Sequence, residues 1–149
     1  MENAEILLKD DIDLFIFNNN SRMENIIINT DNCASYTKSL IKNNNSGIKN
    51  NVFIDVKVKR TIDEADGKVF DINCTETQDI VMFSTFKFYI EKFKNPIYVS
   101  SKLTDTNFAN GNIFTGFIFD CEKAVINDNA DGNNYIIYGQ SKSNIQDEN

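Results

Sequence analysis

Histidine and tryptophan are absent from these 149 residues, proline occurs once, and glycine and cysteine are sparse at six and three. Without histidine, the Ser-His-Asp and Cys-His arrangements of nucleophilic catalysis are excluded. Cys33, Cys74 and Cys121 lie far apart, form no CxxC pair and have no histidine to complete a ligand set, which excludes the usual zinc sites. Their odd number speaks against a disulfide framework and fits buried thiols in a chain made in a reducing compartment. The glycines are scattered singly, so neither GxxxxGK[ST] nor GxGxxG occurs and the phosphate-cradling loops are missing. No apolar run approaches the roughly 20 residues of a membrane span. The opening MENAEILLKDD is acidic where a secretory signal is basic, so the expectation is a soluble chain made without a signal peptide. Release by a route that cleaves no signal stays open.

What is present is acidic, amide-rich and aromatic. Acidic residues outnumber basic ones 22 to 15, for a net charge of −7, and such a surface repels nucleic acid. The one dense basic stretch is KVKR, 57–60. On a strand, Lys57 and Lys59 share a face and Arg60 points the other way. These three are the candidate ligand-binding residues, for an anionic headgroup; the alternative is a solvated strand face. Acidic residues are numerous, but Asp55, Asp71 and Asp79 read as solvent-face or loop positions, and nothing marks two of them as convergent. No enzymatic activity, catalytic residue or cofactor is expected.

NDNADGNNY, 127–135, places oxygen ligands as an EF-hand loop begins. However, its twelfth position is Tyr138 instead of a bidentate glutamate, and its flanks read as strands. A turn at Asp131-Gly132, with weak calcium binding as the alternative, is the expectation. No other metal site is indicated.

Short apolar runs separated by Asn, Asp and Gly clusters point to a single domain over 1–140, followed by a polar, disordered tail over 141–149. IDLFIFNNNSRMENIIIN reads as two strands joined in a hairpin at 18–21. In 51–62, Val52, Ile54, Val56 and Val58 alternate with Phe53, Asp55, Lys57 and Lys59, and Asp66-Gly67 signals a hairpin to a second strand at 68–74. The stretch 79–93 carries a possible helical stripe, but its aromatic and β-branched content favours strand. Pro96 suits a strand start. Ile113, Thr115, Phe117, Phe119 and Cys121 share one strand face, and 113–126 is expected to form a hairpin with 135–140. One helix is expected over 31–43, with Asp31 or Asn32 as its cap and Cys33, Tyr36, Thr37, Leu40 and Ile41 at helical spacing. No internal repeat is visible. The fold class is therefore α+β, predominantly antiparallel. The 12 phenylalanines serve core packing, an apolar groove, or a face docked on another protein.

FIFNNNSRMENIIINTDNCASYT and KFYIEKFKNPIYVSSKLTDTNFANGNIFTGF resemble the OrfX family, proteins encoded beside botulinum neurotoxin genes in clostridia. Length, acidity and asparagine content agree. The resemblance implies a non-enzymatic accessory protein of a toxin gene cluster, made in the bacterial cytoplasm. It also implies the tubular lipid-binding (TULIP) fold, a curved antiparallel sheet around a helix. The implied partners are phosphoinositide-type anionic lipid and a larger OrfX protein of the same cluster. A purely structural assembly subunit is the alternative.

Overall fold

A computed structural model describes residues 1–76, 78–101, 106–128 and 134–143. Among the described residues it contains fourteen strands and no helix. They are β1 (Glu2–Leu7), β2 (Phe15–Phe17), β3 (Arg22–Asn29), β4 (Ser39–Asn43), β5 (Gly47–Asn50), β6 (Phe53–Lys59) and β7 (Lys68–Cys74). β8 (Asp79–Met82), β9 (Thr85–Glu91), β10 (Ile97–Ser101), β11 (Asn107–Asn110), β12 (Ile113–Phe119), β13 (Val125–Asp128) and β14 (Tyr135–Ser141) follow. Sheet 1 has the order β1-β3-β6-β9-β12-β14, sheet 2 the order β13-β10-β7-β4-β2, and sheet 3 the order β11-β8-β5. Every pairing between these strands is parallel.

The chain thus winds from sheet 1 to sheet 2 to sheet 3 and back, laying each turn on the one before. Ile26 pairs with Val56 thirty residues on, Phe53 with Thr85 thirty-two on, and Thr85 with Ile113 twenty-eight on. At the two ends, where no described residue adds a strand to sheet 3, the step shortens to twenty-two, as from Ala4 to Ile26 and Ile113 to Tyr135. This is a parallel β-solenoid. A repeat therefore exists, but it is a repeat of geometry with variable corners, so residue identities do not display it.

Inward positions of sheet 1 stack in register as apolar ladders. Met23, Ile54, Phe86 and Phe114 form one, and Ile28, Val58, Ile90 and Ile118 another. Between them runs Ile26, Val56, Phe88 and Gly116. Phe86 and Phe114 stack at 4.7 Å, and Phe70 of sheet 2 meets Phe86, Phe88 and Phe114 edge-on at 5.5–6.2 Å. Each buried Phe contributes about 1.5–3 kcal/mol through its removal from water. Gly116 is required by close approach: a Cβ there would lie 1.9 Å from the Phe88 carbonyl oxygen.

The corners use several of the asparagines. Asn20, Asn51, Phe83 and Gly111 occupy the same place in successive turns, just ahead of β3, β6, β9 and β12, and all have positive φ. Asn and Gly adopt that conformation at little cost. Beside this column, each turn's side chain caps the one below: Ser84 Oγ accepts from Val52 N, Asn112 Oδ1 from Ser84 N, and Asn134 Oδ1 from Asn112 N, at 3.1–3.2 Å.

Several expectations are overturned. The α+β, antiparallel, TULIP-like class is replaced by an all-parallel solenoid, because neighbouring apolar runs belong to different sheets. β6 and β7 do not form a hairpin: Gly67 lacks positive φ, and it is glycine because a Cβ would stand 2.5 Å from Lys38 O. Similarly, β2 and β3 lie in different sheets, joined by the corner 18–21. β12 does pair with β14, but in the same direction, with a whole turn of coil between them. The helix over 31–43 is a corner followed by β4; Cys33 and Tyr36 reach the core from the corner, and Asp31 accepts from Thr61 N and Oγ1 instead of capping a helix. The stretch 79–93 is extended, as β8 and β9, and β10 starts just after Pro96. Residues 144–149 of the expected tail lie outside the described residues, while Ser141 ends β14 and Ser143 hydrogen-bonds Asp120.

Candidate functional site

The three basic residues part company. Lys57 and Lys59 face outward on β6, and Lys57 Nζ lies 5.1 Å from the centre of the Tyr89 ring on the next turn. Arg60 points inward and is buried. Its Nε donates to Asp63 O at 2.6 Å, Nη1 to Thr30 O and Cys33 O at 3.1 Å, and Nη2 to Ala34 O at 2.7 Å. It ties the corners of two successive turns together by satisfying four of their carbonyls. Burial lowers its pKa, with nearby acidic groups opposing.

A second buried cation was not legible as such. Lys49 projects inward from β5 and pairs with Asp79, which is wholly buried and not on a solvent face. Its ammonium also donates to Asn44 O, Ser46 O and Gly47 O at 2.7–3.1 Å, and Asn43 Nδ2 donates to both Asp79 oxygens at 3.1 and 3.3 Å. Burial pushes the Asp79 carboxyl up in pKa, opposed by Lys49 and Asn43. Every ammonium proton has an acceptor, so this is a stitch between sheets 2 and 3, with no group left for acid–base work.

The cysteines are equally enclosed. All three cysteines are buried and free, and burial raises each thiol, Cys74 to about 12. Among the described residues no group of three or more acidic or Cys residues could hold a metal ion. The candidate calcium loop, 127–135, falls largely on 129–133, outside the described residues.

Surface chemistry differs along sheet 1. Outward positions at the early turns mix charged side chains, Glu5, Arg22, Glu24, Asp55, Lys57 and Lys87, with the apolar Leu7, Ile27 and Phe53. At the last two turns they are apolar. Ile113 pairs with Tyr135, Thr115 with Ile137 and Phe117 with Gly139, and Phe117 stacks on Tyr89 at 6.1 Å. Tyr135 and Ile137 are 64% and 67% exposed, far more than large apolar side chains usually are. A separate apolar groove of about 480 Å³ crosses sheet 3, lined by Gly47, Ile48, Gln78, Ile80 and Thr106. Of the alternatives for the 12 phenylalanines, core packing accounts for half: Phe17, Phe70, Phe86, Phe88, Phe93 and Phe114 are buried.

Fold and surface together define a parallel β-solenoid whose sheet 1 face carries charged side chains at its early turns and none over β12 and β14. Comparison with family models, curated proteins and solved structures gave no match, and nothing in them ties the chain to the OrfX family. No helix among the described residues is long and apolar enough to cross a membrane.

Proposed function

We propose that this chain is a non-enzymatic docking subunit, and that its working surface is the outer face of sheet 1 over β12 and β14. The observation that carries this is the register: Ile113, Phe117, Tyr135 and Ile137 lie side by side on adjacent strands, exposed, with no charge among them. Contiguous apolar surface of this kind marks contact with another macromolecule. A protein partner is favoured over a lipid headgroup. Arg60 is committed to backbone carbonyls, and the two remaining lysines would supply about 1 kcal/mol each at an anionic surface, against a net charge of −7. The resemblance names a candidate, the larger OrfX protein of the same cluster.

The test is co-expression with that protein. The wild-type chain is expected to co-purify with it, and Phe117→Lys or Ile113→Lys to abolish co-purification with an unchanged circular dichroism spectrum. Undiminished recovery of both variants would remove this face from the function. Flotation with phosphoinositide-containing and neutral vesicles is the lipid arm: binding to the former that Lys57→Glu and Lys59→Glu weaken would replace the protein-docking proposal with a lipid one.

A further inference from the structure

The two ends of the coil are built differently, and only one is protected against strand addition. At the first turn, β1 carries Glu2 and Glu5. Asn3 and Asn25 both have positive φ, Asn25 Nδ2 donates to Asn3 Oδ1 at 2.7 Å, and the pairing of β3 with β6 shifts register between Met23 and Ile26. β2 is only three residues long. Charge, irregular backbone and a short strand are the usual means of blunting a sheet edge.

β14 has none of these. Its sequence YIIYGQS holds no charge and no proline, none of its residues has positive φ, and it pairs with β12 in unbroken register over seven residues. Its other edge pairs with no described strand. Tyr135 N donates to Asn112 O and Ser141 O accepts from Asp120 N, so the odd-numbered positions face β12. By the alternation of a strand, Ile136, Tyr138 and Gln140 turn their N–H and C=O groups outward.

We infer that this chain forms a two-fold dimer through antiparallel pairing of β14 with β14 of a second copy, centred on Tyr138. That centre makes Tyr138 a hydrogen-bonded pair with itself and Ile136 a hydrogen-bonded pair with Gln140, giving about six interchain hydrogen bonds. It sets Ile137 opposite Gly139, a large side chain against none, and Tyr135 opposite Ser141. With no charge on the strand, no like charges meet across the axis, a self-complementarity that a chosen hetero-partner would not require. An isologous contact closes at two copies. The dimer joins two sheet 1 faces into one surface, and it does not depend on the docking proposal above, since it is measured on the protein alone.

Sedimentation velocity of the full chain over about 1–200 µM covers the range in which an interface at the small end of the standard size dissociates. A monomer–dimer equilibrium is expected. Tyr138→Pro removes an outward N–H, a change edge strands tolerate, and should weaken dimerisation at least about tenfold with an unchanged circular dichroism spectrum. Tyr138→Cys should cross-link to a covalent dimer under mild oxidation, because Cα atoms of a hydrogen-bonded pair stand about 5.5 Å apart, within disulfide reach. The native cysteines, all buried, give little background. Ile16→Cys, exposed at the opposite end, should not cross-link. A wild-type monomer throughout, a ladder of higher oligomers, or cross-linking through position 16 but not 138 would each overturn the inference. So would a dimer that appears only after residues 144–149 are deleted.

Discussion

The first three turns and the last two solve the same packing problem with different chemistry. Early turns rely on buried charge and backbone capping: Arg60 holds four carbonyls, Lys49 and Asp79 close the corner between sheets 2 and 3, and Asp31 receives two hydrogen bonds from Thr61. Late turns rely on aromatic stacking, on a glycine that lets backbones approach, and on an outer surface left apolar. Buried ionic stitches specify register but tolerate no loss of a partner. Apolar contacts are more forgiving inside and leave sticky surface outside. The blunted end is thus the one nearer these charged stitches, and the end inferred to associate is the one built on rings.

The largest effect expected from this contrast is at Asp79. Asp79→Ala leaves the Lys49 ammonium buried without its counter-charge and should cost about 3–5 kcal/mol in urea unfolding, whereas Lys49→Met with Asp79→Leu should recover most of it. A loss of under about 1 kcal/mol from the single change would show that the early turns do not depend on this pair. Next comes Gly116→Ala. The atom it would strike is a backbone oxygen, which no rotamer change can relieve, so thermal unfolding should report a loss of about 1–3 kcal/mol. Phe83→Asn should act in the opposite direction. Phe83 is exposed in the left-handed region where its column otherwise carries Asn or Gly, so the variant should gain up to about 1 kcal/mol. A decrease would mean that the Phe83 ring, seated over Gly111, stabilises that corner more than its backbone costs.

The smallest effect concerns acid. Asp11 is held below the ordinary carboxylate range by the Thr37 hydroxyl and N–H, and Asp31 by the N–H and hydroxyl of Thr61. A depressed folded-state pKa adds stability above the unfolded value that is lost as pH falls through the folded one. Stability should therefore fall below about pH 4, where the unfolded chain takes up protons. Asp31→Asn, which keeps an acceptor but cannot titrate, should flatten that fall slightly; an unchanged slope would exclude Asp31 from it.

Strand content was legible and strand partnership was not. Val52, Ile54, Val56 and Val58 announce an inward face, and all four are buried as their alternation requires. Period-two alternation, however, is the same for parallel and antiparallel strands. Asp66-Gly67 imitates a hairpin turn because close approach and positive φ both select glycine. Cys33, Tyr36, Leu40 and Ile41 imitate a helix because a corner bending inward buries residues at irregular intervals. The inward direction of Arg60 followed from strand geometry, but not the carbonyls awaiting it. Lys49 and Asp79 lie thirty residues apart, about one turn of coil, a spacing that has meaning only once the coil is known. The late apolar face was half visible: Ile113, Thr115 and Phe117 do share a side, and it is the outward one.

The fold depends on strands stacking one coil turn apart in the same direction. Nuclear Overhauser contacts across sheet 1 test this most directly. The coil requires backbone contacts of Val56 with Phe88, and of Phe88 with Gly116, in parallel register. Antiparallel contacts between 52–62 and 68–74, with none from Val56 to Phe88, would contradict it.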